Sequence, residues 1–164
     1  MDRLHALPPV VDKRTRLLIL GSLPSARSLA AREYYGNPRN QFWALIGGVL
    51  DCPAFATLSY AERLSRLRER GIGLWDAIAE AHRDGSLDAA LRDVVPADLT
   101  GLADRLPELR VIAFNGQRSE QLANRHHPGL AGRYVLLRLP QSSPAQAMPA
   151  GEKEAAWTIL RDYL

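Results

Sequence analysis

Three short apolar runs fix most of what this chain can become. LLILG (Leu17–Gly21), VIAFNG (111–116) and YVLLRLP (134–140) are apolar at nearly every position. Such runs need cover on both faces, which a parallel sheet between helices supplies and a half-solvated antiparallel sheet does not. GIGLWD (71–76) is a fourth, weaker candidate. Helical spacing lies between the runs. NQFWALIGGVL sets Phe42, Leu45, Ile46 and Val49 on one face, and SYAERLSRLRER does the same with Leu64 and Leu67. Residues 86–93 and 98–106 read as shorter helices, and GQRSEQLANRH as the helix after the run at 111–116. GEKEAAWTILRDYL sets Ala156, Ile159, Leu160 and Tyr163 on one face, while residues 1–16 read as a polar, proline-containing lead-in. Strands alternating with helices predict an α/β sandwich. A length of 164 residues fits a single domain over 1–164.

Ligands of such sheets bind beyond the carboxyl ends of the strands. The segments after Leu20, Phe114 and Leu139 are GSLPSARS, NGQRS and PQSSPAQAMP, with YYGNPRNQFW a little beyond the first. They are rich in Gly, Ser, Asn and Pro and contain no acidic residue. None matches a nucleotide-cradling glycine loop or a serine-hydrolase elbow. Ser22 has three possible histidine bases, His82, His126 and His127, but nothing in the pattern orders them. One cysteine, Cys52, rules out an internal disulfide and a cysteine-rich zinc site, and the histidine pair before Pro128 reads as a surface turn. No metal or cofactor is expected. No apolar run approaches the roughly 20 residues of a membrane span, and the N-terminal residues lack the apolar stretch of a secretory signal. The expectation is a cytoplasmic protein with no membrane contact, and a monomer by default.

What remains is a set of neutral hydrogen-bonding groups, tight turns and aromatic rings. It suits a planar, polar, uncharged ligand that stacks on a ring and is read along its edge, as a nucleobase is. Phe42 and Trp43 begin a helix and read as seals of the sheet; Tyr34 and Tyr35 fit either a core or a stacking role. Of 21 basic residues all but Lys13 and Lys153 are arginines. That reflects either genome composition or a phosphate-facing surface, for which the guanidinium fork is suited.

The pieces LILGSLPS, YYGNPRNQFW, GIGLWD, VIAFNG and LPQSSPA, in this order, resemble the uracil-DNA glycosylase superfamily, and within it the hypoxanthine-DNA (deoxyinosine) glycosylase branch. The resemblance implies a three-layer α/β/α sandwich around a four-stranded parallel sheet, with a base pocket at the strand ends. It implies hydrolysis of the N-glycosidic bond of a deaminated base, hypoxanthine first, in double-stranded and possibly single-stranded DNA, leaving an abasic site. Position by position, it implies backbone contacts from Gly21, Ser22 and Leu23, stacking of the base on Tyr35, and catalysis by Asn40. It makes Asn115 the reader of the base edge and a stabiliser of the departing base. The loop of Pro140, Gln141, Ser142, Ser143 and Pro144 becomes the wedge that enters the DNA. Two positions depart from other branches: Leu23 stands where a polar residue handles water, and LPQSS lacks an opening histidine. Both agree with the hypoxanthine branch.

Two other readings stay open on the sequence. One is a uracil or mismatched-pyrimidine glycosylase on the same scaffold; the other is a lesion-binding protein with little catalysis. Without a carboxylate at the strand ends, stabilisation of the leaving base is expected to supply much of the rate. Neither lysine falls in the expected pocket, which predicts a monofunctional enzyme, because strand nicking through a Schiff base needs an amine.

Overall fold

The four apolar runs lie side by side. The computed structural model describes residues 2–85, 88–149 and 151–164. Its strands are β1 (Leu4–His5), β2 (Leu17–Gly21), β3 (Ile72–Asp76), β4 (Ile78–Arg83), β5 (Leu91–Pro96), β6 (Val111–Asn115) and β7 (Val135–Leu139). Four of them form one parallel sheet in the order β3-β2-β6-β7. The helices are α1 (Ala26–Ala31), α2 (Phe42–Val49), α3 (Tyr60–Glu69), α4 (Leu99–Asp104), α5 (Gln117–His126) and α6 (Glu152–Trp157).

Alternate residues of each central strand feed opposite cores, which is why the runs are apolar throughout. Leu17 and Ile19 of β2 with Val111 and Ala113 of β6 pack against Phe42, Ile46, Leu67 and Trp157. Leu18 and Leu20 with Ile112 and Phe114 pack against Leu99, Leu102 and Leu122. The result is the expected three-layer sandwich. Helix α3 starts where the sequence supplies a capping box: Ser59 accepts from the Glu62 N–H, and the Glu62 carboxylate accepts from the Ser59 N–H.

Three expectations change. The segment 86–93 is not a helix: residues 86 and 87 lie outside those described, Asp88–Ala90 is a 3-10 turn, and β5 begins at Leu91. Pairing with β4 wins over the short helical pattern, helped by the β-branched pair Val94 and Val95. The lead-in, read only as polar and proline-containing, takes part in sheet pairing. Leu4–His5 pairs antiparallel with Ala81 and Glu80, so β1-β4-β5 forms a second sheet, and Val10 bridges Leu74. The last helical segment tightens into a 3-10 helix over Thr158–Tyr163. A repeat of three aligns Trp157, Leu160 and Tyr163 toward the core and leaves Ile159 44% exposed, against the α-helical reading.

Candidate active site

Every carboxyl end of the parallel sheet carries polar chain, and these ends converge on a cleft of about 310 Å³. Gly21, Ser22 and Leu23 after β2, Tyr35 and Asn40 from the loop before α2, Asn115 at the end of β6, and Gln141, Ser142, Ser143 and Pro144 after β7 all line it. Pro140 stands behind the lining, where its carbonyl accepts from the Trp157 indole N–H at 2.9 Å.

The acidic residue of the lining escaped the sequence reading. The parallel register pairs Gly21 with Asp76, the last residue of β3, and brings its carboxylate into the cleft wall at 3% exposure. A Cβ at position 21 would lie 2.7 Å from Asp76 Oδ1 and 3.3 Å from the Tyr35 hydroxyl, so the carboxylate and the phenol occupy the space a side chain would take. The site is therefore not free of acidic groups, as expected from three strand ends; the fourth supplies one. The available signal was GIGLWD itself, a strand candidate ending in Asp.

Tyr35 is held in a left-handed backbone conformation, φ 54°. Its ring stacks on Phe42 with centroids 3.9 Å apart and planes 18° apart, so Phe42 braces a ring that lines the cleft. Burial, and after it the Asp76 carboxylate, push the Tyr35 hydroxyl pKa up, opposed by the Asn115 side chain. The phenol thus stays neutral across the physiological range. Tyr34 is mainly structural: its hydroxyl donates to the Pro8 carbonyl at 2.8 Å, and its own carbonyl accepts from Trp43 Nε1. Phe42 and Trp43 are buried seals, as read.

Asn40 is fixed by a local turn. Its N–H donates to the Asn37 carbonyl, and its side-chain Oδ1 accepts the Phe42 N–H at 2.9 Å, capping the start of α2. That bond uses one lone pair of the amide oxygen, and the NH₂ end takes no part in it.

Asn115, expected as the reader of the base edge, lines the cleft and also holds the loop after β7. Its Nδ2 donates to Ser142 Oγ and its Oδ1 accepts the Ser142 N–H, both at 2.8 Å. These two bonds lock the loop after β7 and use two of the four hydrogen-bonding positions of the amide. Ser142 is correspondingly 0% exposed and cannot itself enter DNA; Pro144, Ala145 and Gln146 form the exposed part of that loop. The Ser142 carbonyl also accepts from Gln41 N–H at 3.0 Å, tying this loop to the Asn40 turn. From the other side Lys153 donates to the carbonyls of Gln146 at 2.9 Å and Ser143 at 3.4 Å. Burial lowers the pKa of that ammonium, against the pull of Glu154. Replacing Ser142 with Ala should leave Nδ2 of the buried Asn115 amide without its acceptor. We expect a loss of about 1–3 kcal/mol in unfolding free energy, read by urea denaturation; an unchanged midpoint would remove the clamp from the account.

No histidine lines the cleft. His127 is occupied elsewhere, with Thr100 Oγ1 at Nδ1 and the Ala97 carbonyl at Nε2. Among the described residues no group of three or more His, Cys, Asp or Glu could hold a metal ion, and no helix is long and apolar enough to cross a membrane.

The chain is similar along nearly its whole length to a known set of proteins. The family model described as the uracil DNA glycosylase superfamily matches residues 8–163. A Methanosarcina acetivorans protein named hypoxanthine DNA glycosylase is 38% identical over 157 residues, 95% of this chain and 96% of its own length. One of the same name from Methanosarcina barkeri is 38% identical over 154 residues, 93% of this chain and 94% of its own. A solution NMR structure from Methanosarcina acetivorans, provisionally described as a uracil DNA glycosylase, superimposes with a TM-score of 0.84 at 35% identity, covering 99% of both chains.

Proposed function

The chain belongs to the uracil DNA glycosylase superfamily, and from that premise we propose that it is a DNA glycosylase that hydrolyses the N-glycosidic bond of deoxyinosine and releases hypoxanthine. The observation that carries the substrate is the likeness, along nearly the whole chain, to two proteins named for that activity. The chemistry of the cleft supports it.

Cleaving the bond builds positive charge on the sugar and negative charge on the departing base. A base must first leave its stack, at a cost of a few kcal/mol. The exposed Pro144–Gln146 end of the braced loop fills the gap, and Tyr35, supported by Phe42, takes the base face for a gain of about 1–3 kcal/mol. The Asn40 NH₂ donates to the base as its negative charge grows, and the N–H groups of the 21–25 loop face the same charge. Asp76 presents acceptor oxygens at the wall. Hypoxanthine offers them a ring N–H at the position where adenine, before deamination, has a lone pair. Leu23 brings no polar group to handle water. Arg39 is a cation of the lining and suits a flanking phosphate.

The deciding experiment is a panel of matched duplexes carrying hypoxanthine, uracil opposite guanine, or thymine opposite guanine. Hypoxanthine is expected to be released fastest. Equal or faster uracil release would replace this reading with the pyrimidine one, and no release of any base would leave a lesion-binding protein.

The product should be an intact abasic site. Lys13 is outside the cleft lining, and the Lys153 ammonium is tethered to two loop carbonyls. A covalent protein–DNA adduct trapped by borohydride would contradict this.

A further inference from the structure

Arg83 ends β4 at 5% exposure and does not line the cleft. Its guanidinium nevertheless reaches the cleft wall from behind. Nη2 donates to the Pro24 carbonyl at 2.6 Å and Nη1 reaches the Leu23 carbonyl at 3.5 Å, while Nε donates to the Gly85 carbonyl at 2.9 Å. Just before them, the Gly21 carbonyl accepts from the Ala77 N–H at 2.8 Å and the Ser22 carbonyl from the Ile78 N–H at 3.1 Å. The carbonyls of Gly21, Ser22, Leu23 and Pro24 are thus all held by the β3–β4 side.

That arrangement is not what an extended chain does unaided, since successive carbonyls of a strand point to alternate sides. Each peptide is planar and trans, with its N–H opposite its carbonyl. Drawing four consecutive carbonyls one way therefore sends the N–H groups of Ser22, Leu23 and Ser25 the other way, and these three residues line the cleft. Backbone partners hold the first two carbonyls. The last two depend on a side chain.

We propose that Arg83 is a positioning residue for base release: it orients the 21–25 loop so that the loop's N–H groups meet the leaving base. This rests on the glycosylase reading of the cleft. The planar fork of arginine serves three carbonyls from fixed directions, whereas the ammonium of lysine is a compact charge on a flexible stem.

The test compares wild type, Arg83→Met and Arg83→Lys in single-turnover base release at saturating protein, alongside the Kd for an abasic-site duplex and a thermal melt. Because a displacement of about 1 Å in a positioned group costs about 10²-fold in rate, Arg83→Met is expected to release base about 10²-fold more slowly, with Kd within twofold. Arg83→Lys should recover about tenfold of that loss. A folded Arg83→Met within threefold of the wild-type rate, or a loss that appears equally in Kd, would overturn the proposal. If Arg83→Met does not fold, a folded Arg83→Lys at the wild-type rate would overturn it instead. The comparison is made on whichever base wild type releases, so a change of substrate leaves it intact. A wild type that releases no base would remove the reading on which it rests.

Discussion

Asn40→Asp should fold normally and release hypoxanthine about 10²–10³-fold more slowly than wild type, the usual cost of removing one preorganised donor to developing negative charge. The substitution separates the two ends of the amide. Oδ1 caps α2 through the Phe42 N–H, and a carboxylate oxygen keeps that bond. What disappears is the NH₂. If Asn40 acts by donating to the departing base, the aspartate is nearly inactive. If it acts by orienting water through its oxygen, a carboxylate is the stronger base and the rate holds or rises. Single-turnover release, with a thermal melt to establish folding, distinguishes the two. Asn40→Ala, which removes donor and cap together, should be as slow and also about 1 kcal/mol less stable.

The second large effect is expected at Asp76. In its ionised form a carboxylate only accepts, so an ionised Asp76 would pair with the ring N–H of hypoxanthine and repel the lone pair that adenine carries there. Asp76→Asn can turn its NH₂ toward either base. Release of hypoxanthine should fall about 10²-fold, and the preference for deoxyinosine over deoxyadenosine should shrink by at least as much, since a site built to pair one partner rejects the other by leaving buried groups unmatched. The preference is measured as a ratio of Kd values for duplexes carrying 2′-fluorinated, uncleavable forms of the two nucleotides. A variant with the wild-type ratio would take Asp76 out of base recognition and leave it a structural companion of Tyr35.

How much of this was legible differs residue by residue. The β2, β6 and β7 runs announced themselves because burial on both faces forbids polar positions, and their carboxyl ends pointed to the segments after Leu20, Phe114 and Leu139; the role of Asn40 came from the resemblance alone. Asp76 stayed hidden for a geometric reason. It becomes a cleft residue only through the β2–β3 register that pairs it with Gly21, and register between distant segments leaves no local mark. Asn115 was recognised as important, but the sequence shows which groups a side chain has, not which are already used. Its partner Ser142 lies 27 positions away. Strand β5 was misread because eight residues carry too little periodicity to oppose pairing with β4. The 3-10 tail kept Leu160 and Tyr163 on its core side and put Trp157 there in place of Ala156 and Ile159.

Lys153 and Trp157 carry a consequence for how the protein comes into being. Synthesis runs from the N-terminus, and a domain folds as a unit. The strands of the parallel sheet are all present once β7 has been made. The loop after β7 still lacks the two donors that grip Ser143, Gln146 and Pro140, because α6 is made later. Trp157 and Leu160 also fill the core beside Phe42 and Ile46, so the pocket and the braced loop that opens the duplex become available together, once the last turn of the chain is made.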